Sequence, residues 1–124
     1  MTSKLQRLEP VLPVADVRAA IAFYERLGFC GSRFEDGDVA EPPYGFVSRD
    51  GIHVHLKRTA PLDRTASRAA LYLYVDNVDG LHREWREAGD GADLTGPRDA
   101  PYGLREFTLV DPWGNAWRVG SELA

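Results

Sequence analysis

The sequence predicts an α+β fold built from two tandem βαβββ modules that form an open, half-barrel sheet. Three observations predict it: a weak internal repeat, a helix with a matching cap in each half, and short strand-like segments after each helix. Shifting the chain by 61 positions places Val14 on Val75 and Gly28 on Gly89. Self-similarity at a fixed spacing is the pattern of a duplicated supersecondary unit.

The first module, at about residues 5–58, begins with an extended segment that leads into an amphipathic helix. The two prolines of "LEPVLPV" favour an edge strand or a strand start. Asp16 is the predicted N-cap, and apolar residues follow it at helical spacing until Gly28, which ends the helix. The later segments are rich in Phe, Val and Thr, which predicts strands joined by turns such as "RDGI".

The second module, at about residues 69–122, repeats this order with Asn77 as the predicted N-cap. Its last two strands meet at the turn "DPWGN". Residues 36–43 and 59–68 read as loops, and the second loop is the predicted linker between the modules. We therefore expect residues 1–124 to form one domain.

The repeat also predicts which residues are buried. It pairs Phe46 with Phe107, so both are expected to pack beneath the helices. His82 lies among charged residues and is expected to be exposed. Cys30, the only cysteine, is read as a small core residue at a strand start and excludes an internal disulfide.

Composition limits the possible functions. The chain has 27% charged and 44% hydrophobic residues, which is ordinary globular composition. A net charge of -4 and a pI near 5.3 argue against nucleic acid, and would suit a cationic ligand. Nothing reads as a signal peptide or as a membrane span of about 18 apolar residues. A cytoplasmic location, with no membrane partner, is expected.

Three segments carry a family resemblance: "VADVRAAIAFYERLGF", "YVDNVDGLHREWREAG" and "REFTLVDPWGNAWRV". They resemble the vicinal oxygen chelate superfamily, which includes glyoxalase I, extradiol dioxygenases and antibiotic-resistance proteins, over roughly residues 8 to 120. Within it, "PYGLREFTLVDPWGN" and "EPVLPVADV" look most like the bleomycin-resistance proteins. The resemblance implies a homodimer that sequesters a cationic glycopeptide antibiotic in grooves at the subunit interface, without catalysis.

Members of the superfamily that do chemistry hold a divalent metal between the modules. The resemblance places the four ligand positions at Glu9, His55, Ala70 and Arg118. Alanine offers no donor and arginine is a permanent cation, so we expect no metal and no cofactor. Arg118 is expected to pair with Glu9 where the metal would be.

The predicted ligand-binding residues combine aromatic rings with polar groups near the former metal positions. Tyr102 falls on the position of a loop tryptophan that lies against the drug in the resistance proteins, and a tyrosine keeps a face for stacking. His53 and His55 lie on the same face of one strand. The full set is Phe34, Tyr44, His53, His55, Tyr102, Gly103, Trp113, Trp117 and Arg118.

Three alternatives remain open at this stage. The chain can be a metal-dependent lyase, dioxygenase or thiol transferase that uses Glu9, His55 and His53. It can bind another planar or cationic small molecule. It can also be an accessory or regulatory dimer, and a homodimer is expected in every case, because a second copy would cover the exposed sheet.

Overall fold

A computed structural model describes residues 2–33, 41–59, 62–63, 69–89 and 93–123. The first half contains β1 (Val11–Val14), α1 (Val17–Arg26), β2 (Cys30–Arg33), β3 (Tyr44–Arg49) and β4 (Ile52–Arg58). The second half contains β5 (Ala70–Tyr74), α2 (Val78–Ala88), β6 (Asp93–Asp99), β7 (Leu104–Val110) and β8 (Ala116–Glu122). Both halves follow the predicted strand-helix-strand order.

Each half forms its own four-stranded sheet with the same topology. The strand orders are β1-β4-β3-β2 and β5-β8-β7-β6. In both, the first strand pairs in parallel with the last and the remaining pairs are antiparallel. The structure therefore confirms the α+β class and the two repeated βαβββ modules.

The capping residues begin both helices as predicted. The side chain of Asp16 accepts a hydrogen bond from the Ala19 amide at 3.0 Å, and Asn77 accepts one from the Gly80 amide at the same distance. These bonds satisfy amides that have no partner within the first helical turn. Gly28 follows α1 with a φ of 92°, a conformation that favours glycine.

Each helix covers one face of its sheet and leaves the other face open. α1 packs against β2, β3 and β4, and α2 packs against β6, β7 and β8. One hydrophobic core joins the two modules and includes Tyr24, Trp85 and Trp117. Within the described part of the chain, neither helix has the length and apolar character needed to cross a membrane.

The "DPWGN" turn connects the second module to α1. The Asp111 carboxylate is fully buried and accepts a hydrogen bond from the Tyr24 hydroxyl at 2.6 Å. It also accepts bonds from the amides of Trp113 and Asn115 and from the Asn115 side chain, each at 2.9 Å. Trp117 Nε1 donates to the Tyr24 hydroxyl at 3.0 Å. The turn is thus held by a buried polar network.

The expectation that Phe46 packs beneath a helix is wrong. Phe107 is buried against Trp85 of α2, but Phe46 is 38% exposed on the open face of its sheet. In the first sheet Phe46 pairs with His55. Arg118 is the counterpart of His55 in the second sheet, and it pairs with Thr108. The structural counterpart of Phe46 is therefore Thr108, one residue beyond the Phe107 that the 61-residue shift assigns to it. A one-residue change of register moves a side chain to the other face of a sheet.

Two further burial expectations are also wrong. His82 is only 8% exposed, because it lies on the face of α2 that contacts Phe107, with ring centroids 5.1 Å apart. Cys30 is exposed, because it begins β2, which is the edge strand of the first sheet.

Candidate functional site

The open face of the first sheet carries a chain of hydrogen bonds that crosses two strands. His55 Nδ1 lies 2.7 Å from the Tyr44 hydroxyl, and His55 Nε2 lies 2.7 Å from Glu9 Oε1. An ionised carboxylate only accepts, so Nε2 donates to Glu9, and the ring links Glu9 to the Tyr44 hydroxyl. The Phe46 ring packs edge-on against both neighbours. The face is therefore an aromatic surface with a fixed polar centre.

Glu9 does not form the expected pair with Arg118. Within the described chain it accepts a hydrogen bond from His55 and forms an ion pair with Arg7, whose Nε lies 2.7 Å from Glu9 Oε2. The His55 hydrogen bond and the nearby Arg7 cation lower the pKa of Glu9. Arg118 lies instead on the second sheet, near Glu106.

The four positions at which the resemblance places metal ligands do not fit a metal here. Glu9 and Ala70 line the same cavity of about 460 Å³, so residues of both modules contribute to it. Both ring nitrogens of His55 are engaged in hydrogen bonds, to Tyr44 and to Glu9. Ala70 has no donor and Arg118 is cationic. Among the described residues, no three His, Cys, Asp or Glu side chains converge on one point.

The open face of the second sheet centres on Glu106. Tyr72 donates to Glu106 Oε2 at 2.9 Å, and Tyr102 donates to Oε1. These two bonds, together with the nearby Arg118 and Arg98, lower the pKa of Glu106 despite its partial burial. Both acceptor oxygens of the carboxylate are therefore engaged by tyrosines.

Gly120 makes the Tyr72 bond possible. A Cβ atom at Gly120 would lie only 2.1 Å from the Tyr72 hydroxyl oxygen. The absent side chain thus lets the tyrosine lie across β8 and reach Glu106 on β7. Burial first, and then the Glu106 contact, raise the pKa of Tyr72 well above its ordinary value.

The predicted site residues divide into groups. Tyr44, His55 and Arg118 lie on the open faces, and His53 is exposed beside Glu9 in the shared cavity. Tyr102 is 60% exposed in the turn between β6 and β7. Gly103 adjoins it with a φ of 90°.

The two predicted tryptophans differ in burial, and burial argues against a ligand contact only for Trp117. Trp117 touches the floor of the 460 Å³ cavity but is only 1% exposed, so its ring offers no face to a ligand. Neighbours on a strand point to opposite sides, so Trp117 and Arg118 cannot both face outward. Trp113 is half-buried against Phe23 of α1. Phe34 lies outside the described residues.

Four exposed or half-exposed residues were missed by the sequence-based prediction: Phe46, Tyr72, Tyr74 and Glu106. The alternation in "ALYLY" could have revealed the two tyrosines, since Leu71 and Leu73 are the core positions of that strand.

A larger cavity of about 620 Å³ adjoins the Arg49–Glu84 ion pair. None of the predicted site residues lines it.

Comparison with known proteins gives bleomycin resistance and bleomycin-binding proteins, and also a solved glyoxalase-related enzyme from Clostridium phytofermentans. The bleomycin resistance protein of Geobacillus stearothermophilus is 24% identical over 123 residues, which cover 86% of this chain and 89% of the relative. A bleomycin-binding protein solved in complex with bleomycin shares the fold with a TM-score of 0.81. The match is 24% identical and covers 95% and 99% of the two chains.

A third relative is the bleomycin-binding protein from the bleomycin producer Streptomyces verticillus, solved with copper(II)-bleomycin. It is 29% identical with a TM-score of 0.78, over 97% of this chain and 98% of that one. The family model of the Glyoxalase/Bleomycin resistance protein/Dioxygenase superfamily matches residues 5–119. The chain therefore belongs to that superfamily.

Proposed function

We propose that this chain is a non-catalytic, cytoplasmic binding protein that sequesters a bleomycin-type glycopeptide antibiotic. The observation that carries the proposal is that the open sheet faces and the adjoining β6–β7 turn expose large aromatic rings. Phe46, Tyr74 and Tyr102 are 38%, 66% and 60% exposed. Aromatic faces stack on planar rings and attract cations. The similarity to bleomycin resistance and bleomycin-binding proteins supports this ligand class.

The binding groove is proposed to lie between two copies of the chain. Large exposed aromatic residues on an open sheet are unusual for a monomer and mark an interaction surface. Residues before β1 add exposed apolar groups, since Leu5 is 102% and Leu8 is 91% exposed. A second copy would cover this surface and complete a groove. Sedimentation velocity across a dilution series tests the dimer, and a monomer that keeps full affinity would contradict the interface groove.

Calorimetric titration tests the ligand. Protein stripped with a chelator and then desalted is titrated with copper(II)-bleomycin and with metal-free bleomycin. We expect saturable binding of about one drug per subunit, because a symmetric dimer contains two equivalent grooves. Binding to stripped protein would show that no protein-bound metal is needed.

Aromatic variants test the location of the groove. Phe46→Ala and Tyr102→Ala are each expected to weaken binding by about fivefold or more, because stacking contributes on the order of 1 kcal/mol. Tyr102→Phe is the matched control, since it keeps the ring and loses only the hydroxyl. Full affinity in both alanine variants would place the drug elsewhere.

Failure to bind bleomycin would shift the assignment to another planar ligand or to an enzyme. Metal analysis separates these two, because an enzyme of the metal-dependent kind needs about one tightly held divalent ion per subunit.

A further inference from the structure

The open face of the second sheet contains two arginines near a single carboxylate. Arg98 and Arg118 line a cavity of about 370 Å³ together with Thr95, Glu106 and Thr108. Neither guanidinium forms a hydrogen bond or ion pair in the described part of the chain. Both oxygens of Glu106 are instead occupied by Tyr72 and Tyr102.

A strand irregularity places Arg98 on this face. Thr95 pairs with Thr108 and Arg98 pairs with Glu106, so two residues of β6 oppose one residue of β7 between these pairs. Regular alternation would have put Arg98 and Thr95 on opposite faces. The bulge reverses this, and bulges commonly redirect a side chain next to a functional site. The backbone is thus shaped to present a second cation beside Arg118.

The local charge of this face differs from that of the whole chain. The net charge of -4 suggests a cationic ligand, but here two permanent cations face one carboxylate. The oxygens of this carboxylate accept from the two tyrosines, and within the described part of the chain neither arginine forms a salt bridge with it. Both guanidinium groups therefore remain available for a planar or tetrahedral anion, which arginine binds with two parallel hydrogen bonds.

We infer that Arg98 and Arg118 form a subsite for an anionic group, such as a carboxylate, carried by an aromatic ligand that stacks on the neighbouring tyrosines. This inference rests on the proposed ligand-binding role of the same face. Tyr72 pairs with Arg118 in the strand register, and Tyr102 lies close enough to both arginines to interact with their charges, so these two tyrosines provide the neighbouring aromatic surface.

Two probes of equal shape test the subsite: 2-naphthoate, which is anionic, and 2-naphthamide, which is neutral. Both are titrated into isotope-labelled protein, and amide shifts in NMR spectra report affinity and location. We expect naphthoate to bind about tenfold more tightly at low salt, the equivalent of one charge-assisted hydrogen bond. The preference should shrink at about 0.3 M salt, where screening is stronger. The shifted amides should lie in β6, β7 and β8.

Arginine variants give the decisive comparison. Arg98→Gln and Arg118→Gln should each reduce naphthoate affinity by about threefold or more, and leave naphthamide within about twofold. Arg83→Gln, on the exposed side of α2, is the matched control and should change neither affinity. The subsite is refuted by equal affinity for the two probes, by no naphthoate binding up to its solubility limit, or by a preference that survives in the double variant.

The two proposals fail separately. A naphthoate preference without binding of copper(II)-bleomycin would refute the proposed drug and keep the subsite. Binding of the drug without any naphthoate preference would refute the subsite and keep the proposed function.

Discussion

Replacing Tyr24 by phenylalanine tests the buried network that joins the two modules. The change removes one hydroxyl and keeps the ring, which packs against Phe23, Phe29 and Trp117. The hydroxyl donates to the buried Asp111 carboxylate at 2.6 Å and accepts from Trp117 Nε1 at 3.0 Å. Tyr24→Phe therefore removes one donor from a buried charge and leaves the indole N–H without its partner.

The magnitude follows from these two losses. A hydrogen bond to a charged group contributes about 1.5–3 kcal/mol, and a buried donor left unpaired costs about 1–3 kcal/mol. We expect Tyr24→Phe to lower the free energy of unfolding by about 3 kcal/mol, since these contributions overlap. With a urea m value of about 1.5 kcal/mol per M, the unfolding midpoint would fall by about 2 M.

Urea unfolding followed by far-ultraviolet circular dichroism measures this effect. Tyr74→Phe is the matched control, because Tyr74 is 66% exposed and its loss of a hydroxyl should cost under about 0.5 kcal/mol. A loss below about 0.5 kcal/mol in Tyr24→Phe, with an unchanged m value, would refute the view that this hydroxyl joins the modules.

The same variant has an expected pH signature. Burial first, and then Asp111, raise the pKa of Tyr24 well above its ordinary value. The unfolded tyrosine releases its proton near pH 10, whereas the folded one keeps it. The contribution of Tyr24 to stability is thus complete below about pH 10 and falls as pH rises further. Tyr24→Phe should lose stability less steeply than the parent above about pH 10.

Two other predictions concern single positions. Gly120→Ala should push the Tyr72 hydroxyl away from Glu106 and so lower the pKa of Tyr72 towards about 10. Tyrosinate absorbance measures this pKa. An unchanged titration would show that the position of the Tyr72 ring does not depend on the glycine. Burial, and then Arg86, lower the pKa of His82, so its neutral form is favoured in the fold and stability falls as pH drops below about 6.5. His82→Leu should remove this acid-side loss in urea unfolding at about pH 7.5 and 5.5; an equal loss in both proteins would place its cause in other groups.

Local sequence signals predicted the helices and the module order well. Asp16 and Asn77 cap their helices through contacts only three residues away, so the sequence contains the complete interaction. The Asp50–Gly51 turn is equally local, because both residues take a positive φ between β3 and β4.

The candidate site was predicted only in part, because the pairing of strands distant in sequence decides which side chains meet there. Glu9 was expected to pair with Arg118, but the parallel pairing of β1 with β4 places His55 within hydrogen-bond distance of Glu9 instead. Phe46 was assigned to the core because its face depends on a strand register that the weak repeat fixes only to within one residue. Such a shift exchanges core and surface positions along a whole strand.

The sequence by itself determined that two of the four positions implied by the resemblance, Ala70 and Arg118, lack metal-donor groups whatever the fold. Only the tertiary structure decided which aromatic rings face a ligand, that Trp117 is buried, and that a bulge brings Arg98 beside Arg118. The physical reason is that donor chemistry belongs to one residue. The exposure of a ring, and the meeting of several side chains at one site, depend instead on how distant strands are placed side by side.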